Sequence, residues 1–166
     1  MENKLISVVI PTYNENDFID KCLMGVFNFN LPKNFDIEII IVDGGSFDGT
    51  LKKVKKWISR KSNIILLNNS KKFQNFGINI GIKSSKGQYI LRLDAHAEYQ
   101  NNYLLKCYNN LIKTNSENSG GRLITLKKED TLSASIVQAL STHKFGVGDS
   151  DFRTSSYSGL VDTVPF

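Results

Sequence analysis

Four short runs rich in branched aliphatic residues recur along the N-terminal part of the chain, at Leu5 to Ile10, Ile37 to Val42, Ile64 to Leu67 and Tyr89 to Asp94. The first two show no polar alternation, which suits strands covered on both faces, and helical or Gly-containing stretches separate all four. Strands alternating with helices in this way predict an α/β fold, a mostly parallel, Rossmann-like sheet with helices on both faces. Pro11 and the polar turn Thr12 to Asn16 end the first strand, and the segment Asp43-Gly44-Gly45-Ser46-Phe47-Asp48-Gly49-Thr50 closes the second.

The connecting segments carry their own signals. Phe18, Ile19, Cys22, Leu23, Val26 and Phe27 fall at helical spacing, with Asp17 able to cap the helix and Pro32 marking its end. From Thr50 to Arg60, Leu51, Val54 and Ile58 share one stripe, with Trp57 at its margin and Lys52, Lys53, Lys55 and Lys56 mostly outside it. Between Lys71 and Gly87 the pattern is ambiguous, because Phe76, Ile78, Ile80 and Ile82 alternate like a strand while Gly77 and Gly81 weaken either element. A helix is expected there, since a parallel connection between the third and fourth strands needs a crossover.

A further helix is expected from Asn102 to Lys113, a loop from Asn115 to Gly121, a strand from Arg122 to Leu126 and a helix from Leu132 to Leu140. The Gly-, Ser- and Asp-rich stretch His143 to Gly159 reads as a surface loop. Leu160 to Phe166 is strand-like and stops without a turn, so the single domain expected of 166 residues is expected to continue past it.

Lys and Arg number 21 against 16 Asp and Glu, but the basic residues are scattered or sit on one helix, which favours anionic ligands weakly and gives no nucleic-acid-binding face. Cys22 and Cys107 lie in apolar helical stretches without CxxC spacing and are expected as buried thiols. No apolar run approaches the ~20 residues of a membrane span. The chain is expected to be soluble and cytosolic.

In a parallel sheet, ligands bind at the carboxyl ends of the strands. Three such ends carry chemistry: Pro11-Thr12-Tyr13-Asn14-Glu15, Asp43-Gly44-Gly45-Ser46 and Asp94-Ala95-His96. Neither GxGxxG nor GxxxxGK[ST] follows the first strand, which excludes an ordinary dinucleotide site and a P-loop. Asp94 and His96, two apart in a segment expected to be extended, project to one face together with Arg92 and can bind a divalent cation alongside diphosphate oxygens and water. Ordinary structural roles compete at each place. A strand-end Asp can be a turn residue and a lone His a hydrogen-bonded one; Asp48 and Thr50 can cap a helix while Asp43 points into the crevice; Tyr13 can be a surface aromatic, and Glu15, Asn16 and Asp17 a solvated helix entry.

These residues also carry a resemblance. Val8-Val9-Ile10-Pro11-Thr12-Tyr13-Asn14-Glu15, Ile41-Val42-Asp43-Gly44-Gly45-Ser46 with Asp48-Gly49-Thr50, Asn79 with Gly81 and Gly87, and Leu93-Asp94-Ala95-His96 resemble family 2 glycosyltransferases of the GT-A fold. More narrowly, Arg92 to Ala97, Gly120-Gly121, Phe145 to Gly148 and Val161 to Phe166 are similar to the branch containing succinoglycan-type exopolysaccharide glucosyltransferases.

The resemblance implies an inverting transferase that moves a sugar, glucose by analogy, from a UDP-sugar to a polysaccharide or lipid-linked saccharide. It places the nucleotide-binding half at about residues 1–98 and the start of the acceptor half at about 99–166. It implies that Pro11, Thr12, Tyr13, Glu15, Asp43, Gly44, Ser46, Asn79, Asp94 and Ala95 form the nucleotide-sugar site, with Asp43 accepting a hydrogen bond from uracil. Asp94 and His96 would occupy the family's DxD metal motif; His96 in place of the second Asp makes Mn²⁺ a more natural cation than Mg²⁺. No residue matches the family's Glu-Asp general base, which is expected beyond Phe166; Asp162 is the only late candidate. A cytoplasmic location, at the inner face of the membrane for a longer protein, goes with this reading. The Lys-rich helix then reads either as solvated surface or as weak attraction to anionic headgroups, while His143 and Arg153 read either as contacts to acceptor or diphosphate or, more simply, as loop residues. Two other readings are a non-catalytic nucleotide-sugar-binding module of the same fold and an unrelated flavodoxin-like domain with an acidic pocket.

Overall fold

Strands that are apolar on both faces need cover on both, and the chain supplies it by alternating the two kinds of element. The structure is a computed structural model describing residues 3–126, 130–148, 151–154, 159 and 161. β1 (Lys4–Thr12), α1 (Ile19–Phe27), β2 (Phe35–Asp43), α2 (Thr50–Ile58), β3 (Ile64–Asn68), α3 (Gln74–Ser84) and β4 (Tyr89–Arg92) follow one another in chain order. α4 (Tyr103–Thr114), α5 (Leu132–Thr142), α6 (Lys144–Val147) and α7 (Asp151–Thr154) come after them. Two compact units result, residues 1–108 and 109–166.

The sheet of the first unit has the order β3-β2-β1-β4, and every pairing is parallel. Thr12 is in register with Asp43, and Asp43 with Asn68, so these strands finish level at one edge. The chain moves outward from β1 through β2 to β3, then returns to the other side of β1 as β4. The order therefore reverses between β1 and β4, where a parallel sheet opens a crevice at its carboxyl edge.

Alternation along β1 divides the core between the two faces. Ile6, Val8 and Ile10 join Ile39 and Ile41 in a buried cluster with Ile19, Leu23 and Val26 of α1 and Val54 of α2. Residues of the opposite face meet α3. A Cβ on Gly81 would come within 2.3 Å of Val9 Cγ1, and one on Gly77 within 3.3 Å of Pro11 Cβ. The two glycines that obscured the sequence pattern are the contact surface by which this helix lies on the sheet, which settles the segment as helical.

Several expectations need correction. β1 continues through Pro11 to Thr12, because Pro11 and Thr12 still pair with Val42 and Asp43. Asp17 does not cap α1: its N-cap is Phe18, without a side-chain cap, and the Phe18 and Ile19 amides donate to the Glu15 carbonyl instead. β4 ends at Arg92, two residues before Asp94. Residues 122–126 are not a strand; their alternation finds no partner among the described residues, and Ile124 and Leu126 stay exposed. His143 to Gly159 is not simply a loop, since α6 and α7 form within it. The run Leu160 to Phe166 lies outside the described residues except for Val161.

In the second unit, Thr131 Oγ1 caps α5 by accepting from the Ala134 amide at 3.2 Å, and Gln138 Nε2 donates to the Thr125 carbonyl at 2.8 Å. No helix among the described residues is long and apolar enough to cross a membrane.

Candidate functional site

The loops after β1 and β2 are stitched to each other. The Asn14 amide donates to Ser46 Oγ at 2.9 Å and the Phe47 amide donates to Asn14 Oδ1 at 3.0 Å. Glu15 and Asn16 amides donate to Thr50 Oγ1 at 2.8 Å and Asp48 Oδ2 at 2.9 Å. Asn14 reaches these partners with a φ of 56°, a left-handed conformation that Asn tolerates better than most residues. Asp48 Oδ1 also accepts from the Thr50 amide and hydroxyl, and those bonds hold its carboxyl below the ordinary value against a desolvation that opposes them. Lys53, expected on the solvated face of α2, instead donates to the Asn16 carbonyl at 2.6 Å and pairs with Asp20 at 3.2 Å.

Asp43 organises the second loop. Its Oδ2 accepts from the Gly45 and Ser46 amides at 2.8 and 2.9 Å, and its Oδ1 from Ser46 Oγ at 2.5 Å and Thr12 Oγ1 at 3.4 Å. At 3% exposure it does not point freely into the crevice. Four donors fill the roughly four acceptor sites of a carboxylate, so a base could reach Asp43 only by displacing one of them. Gly44 is wedged between Tyr13 and the Lys72 backbone, where a Cβ would lie 3.3 and 3.2 Å from them. Tyr13, at the rim, meets Phe47 edge to face at 6.3 Å, and Phe47 is 82% exposed.

On the other side of β1, Asp94 is buried to 8% exposure. Its Oδ1 accepts from Gln74 Nε2 at 2.8 Å and Arg92 Nη2 at 2.9 Å, and its amide donates to Tyr99 Oη at 2.9 Å. Burial pushes the Tyr99 phenol up to about 12, so it stays protonated. Burial also lifts the Cys22 thiol to about 12, with the Glu15 and Asp94 carboxylates adding to the effect; that thiol is inert at neutral pH. Asp94 and His96 are not neighbours on one extended face, as expected from their spacing. The backbone turns at Ala95 and His96, closed by the Ala97 amide on the Asp94 carbonyl at 3.2 Å. His96 is exposed and directs Nδ1 to Glu15 Oε1 at 3.0 Å.

The structure therefore brings Thr12, Tyr13, Glu15, Asp43, Gly44, Ser46, Asp94 and His96 to one edge of the sheet. Pro11 lies just below it, against α3. Ala95 is 2% exposed within the apolar cluster and supports the site from beneath. Asn79 is exposed on α3, two residues from the sheet-facing Gly77 and so on another side of the helix. His143 stacks on Phe145 and Arg153 lies on α7, both in the second unit. Asp162 lies outside the described residues.

Sequence reasoning missed Gln74, Lys72 and Phe47. The loop from Asn69 to Phe73 also follows a strand, β3, and its position alone marked it as part of the same edge.

Among the described residues no cluster of three or more His, Cys, Asp and Glu side chains could enclose a metal ion. Asp94 Oδ2 and His96 Nε2 nevertheless carry no hydrogen bond to the described residues, one a carboxylate oxygen and one an imidazole nitrogen. As donor types, a carboxylate oxygen and an imidazole nitrogen suit a divalent cation.

Residues 7–145 match the family model described as glycosyl transferase family 2. A dolichyl N-acetyl-alpha-D-glucosaminyl phosphate 3-beta-D-2,3-diacetamido-2,3-dideoxy-beta-D-glucuronosyltransferase of Methanococcus voltae is 33% identical over 95% of this chain and 53% of its own. The succinoglycan biosynthesis protein ExoA of Rhizobium meliloti is 26% identical over 66% of this chain and 33% of its own. The chain thus spans about half the length of the first relative and a third of the second. Among solved structures, S. aureus TarS in complex with UDP superposes with a TM-score of 0.63 at 21% identity, over 76% of this chain and 37% of that one. The mannosyltransferase PcManGT of Pyrobaculum calidifontis, solved with GDP-Man and Mn²⁺, gives 0.57 at 20% identity, over 86% and 39%. At these identities the likeness to solved structures shows a shared fold.

Proposed function

The chain belongs to glycosyl transferase family 2 and has the GT-A fold of that family, and on this premise we propose that it forms the donor-binding part of an inverting transferase acting on a UDP-sugar. The observation that carries the proposal is the convergence of the β1, β2 and β4 tips at the point where strand order reverses. Glucose is the proposed sugar, supported by the likeness to a poly(ribitol-phosphate) beta-glucosyltransferase, and a polysaccharide or lipid-linked saccharide the proposed acceptor, supported by the likeness to the succinoglycan biosynthesis protein and to the dolichyl-linked transferase. A cytoplasmic location, at the inner face of the membrane for a longer protein, is proposed with this reading.

In this proposal Tyr13 stacks against the base while Asp43, held by Thr12, Ser46 and two amides, keeps the Gly44-Gly45 loop shaped around it. Asp94 and His96 would hold a divalent cation, which supplies positive charge against the departing diphosphate. A carboxylate together with an imidazole suits Mn²⁺ better than Mg²⁺. Arg92 and Gln74 fix the Asp94 carboxylate so that Oδ2 is presented without reorganisation. The acceptor hydroxyl attacks the anomeric carbon from the face opposite the diphosphate and inverts it. Its proton goes to a base not found among the described groups of this edge, because Asp43, Asp48 and Asp94 are committed to other partners and Glu15 to His96.

Ligand-dependent stability tests the proposal. At UDP or UDP-glucose about 100-fold above Kd, binding to the folded chain contributes about 2.7 kcal/mol. For a chain of this size that is a rise on the order of 5–10 °C in Tm. The rise is expected to be larger with Mn²⁺ than without it, and larger for UDP than for GDP. An unmoved melting temperature at saturating UDP and Mn²⁺ would remove the donor-site reading.

A further inference from the structure

The hydrogen bond of the Glu15 carboxylate runs across the crevice, from the loop after β1 to the turn after β4. Its backbone is anchored on both sides: the amide donates to Thr50 Oγ1 at 2.8 Å, and the carbonyl accepts from the Phe18 and Ile19 amides at 3.0 and 2.9 Å. Its side chain is 16% exposed, against 58% for His96, so the fixed partner is the carboxylate and the placed partner the imidazole. The imidazole has a second support in the edge of Phe18, whose ring centroid lies 6.4 Å away. An ionised carboxylate can only accept, so the 3.0 Å contact requires the proton on Nδ1. In the neutral ring Nε2 then carries the lone pair, and it has no partner among the described residues.

We propose that Glu15 is a positioning residue which, by taking the Nδ1–H hydrogen bond of His96, locks the imidazole in the tautomer and orientation that offer Nε2 to a divalent cation bound with the nucleoside diphosphate. The inference rests on the donor-site reading and assigns Glu15 a role through His96 instead of a place against the nucleotide. The physical basis is general. A metal-ligating histidine holds its other nitrogen on a carboxylate or carbonyl, and loss of that partner costs about 10–100-fold in metal affinity.

The experiment compares the wild-type chain with Glu15→Ala and Glu15→Gln. Two measurements are made: the His96 tautomer by long-range ¹H–¹⁵N NMR without metal, and Mn²⁺ affinity in the presence of UDP by electron paramagnetic resonance. The expected result is an Nδ1–H ring in the wild type that is lost in Glu15→Ala, where Mn²⁺ affinity falls about 10–100-fold. Glu15→Gln, whose amide oxygen still accepts from Nδ1–H, stays close to wild type; a carboxylate that bound the cation directly would lose as much on conversion to Gln as to Ala. The melting temperature of both variants stays close to wild type, because the backbone anchors of residue 15 remain. An Nε2–H ring in the wild type, Mn²⁺ affinity undiminished in Glu15→Ala, or equal losses in Gln and Ala would overturn the assignment while leaving the donor site standing. A wild-type chain that binds neither UDP nor Mn²⁺ would remove the donor-site reading itself, and the assignment with it.

Discussion

Gly87→Ala is expected to lower the stability of the chain by about 3 kcal/mol, the sum of overpacking and a damaged buried hydrogen bond. A Cβ at Gly87 would lie 2.6 Å from both the amide nitrogen and the hydroxyl of Ser7 and 2.9 Å from the Leu5 carbonyl oxygen. None of these atoms belongs to a flexible side-chain end. Ser7 Oγ is held by donating to Glu38 Oε1 at 2.6 Å while accepting from the Gly87 amide at 2.8 Å, and the Lys86 amide donates to the same Glu38 oxygen at 2.7 Å. Ser7 is fully buried, so a bond broken here is not replaced by water. Thermal melting should register a fall in Tm on the order of 6–12 °C. Gly25→Ala is the matching control: nothing lies within 4 Å of the new methyl, in the body of α1, and alanine there should stabilise by about 0.5–1 kcal/mol. Equal stability of the two variants would mean that β4 does not dock on β1 as described.

The second large effect falls on ligand binding. Asp94→Asn is expected to weaken UDP-glucose binding in the presence of Mn²⁺ by at least about 100-fold, since a ligating carboxylate matters more than the outer-shell partners whose loss costs 10–100-fold. The asparagine carbonyl can still accept from Gln74 and Arg92, which hold Asp94 Oδ1 in the wild type, so the turn should persist. The lost element is the charged oxygen Oδ2. Isothermal titration calorimetry, with melting temperature as the check on folding, separates the two effects. Undiminished binding by a folded Asp94→Asn variant would show that the cation, or the donor, is held elsewhere.

What could be read in the sequence follows from the range over which each signal acts. Continuous runs such as Ile37 to Val42 and the stripe Leu51, Val54 and Ile58 are local patterns, and they became β2 and α2 with only their ends shifted. The ambiguity from Phe76 to Ile82 yielded to topology, and the structure shows why the glycines blurred it: Gly77 and Gly81 are where backbone approaches the sheet. Alternation at 122–126 misled because a strand is made by its partner, and none pairs with it among the described residues.

The three strand tips were recognisable from position alone, but their internal bonding was not. Asp43 is consumed by its own loop, and the turn at Ala95 sends His96 away from the extended line of β4. His96 meets Glu15 across 81 residues of sequence, and no spacing rule anticipates such a contact. Gln74 was overlooked for the same reason; its tie to Asp94 exists only once β3, α3 and β4 are assembled.

Residue-resolved NMR locates the donor without presupposing it. With UDP and Mg²⁺, amide shifts are expected to move at Thr12 to Glu15, Gly44 to Phe47, Asn69 to Gln74 and Asp94 to His96. Substituting Mn²⁺ should broaden the signals nearest Asp94 and His96 most strongly. Leu5, Asn34, Asn63 and Gly87, at the amino ends of the strands, should stay unperturbed. Perturbations centred on that opposite group, or scattered over both edges, would contradict a single donor pocket at the carboxyl edge of the sheet.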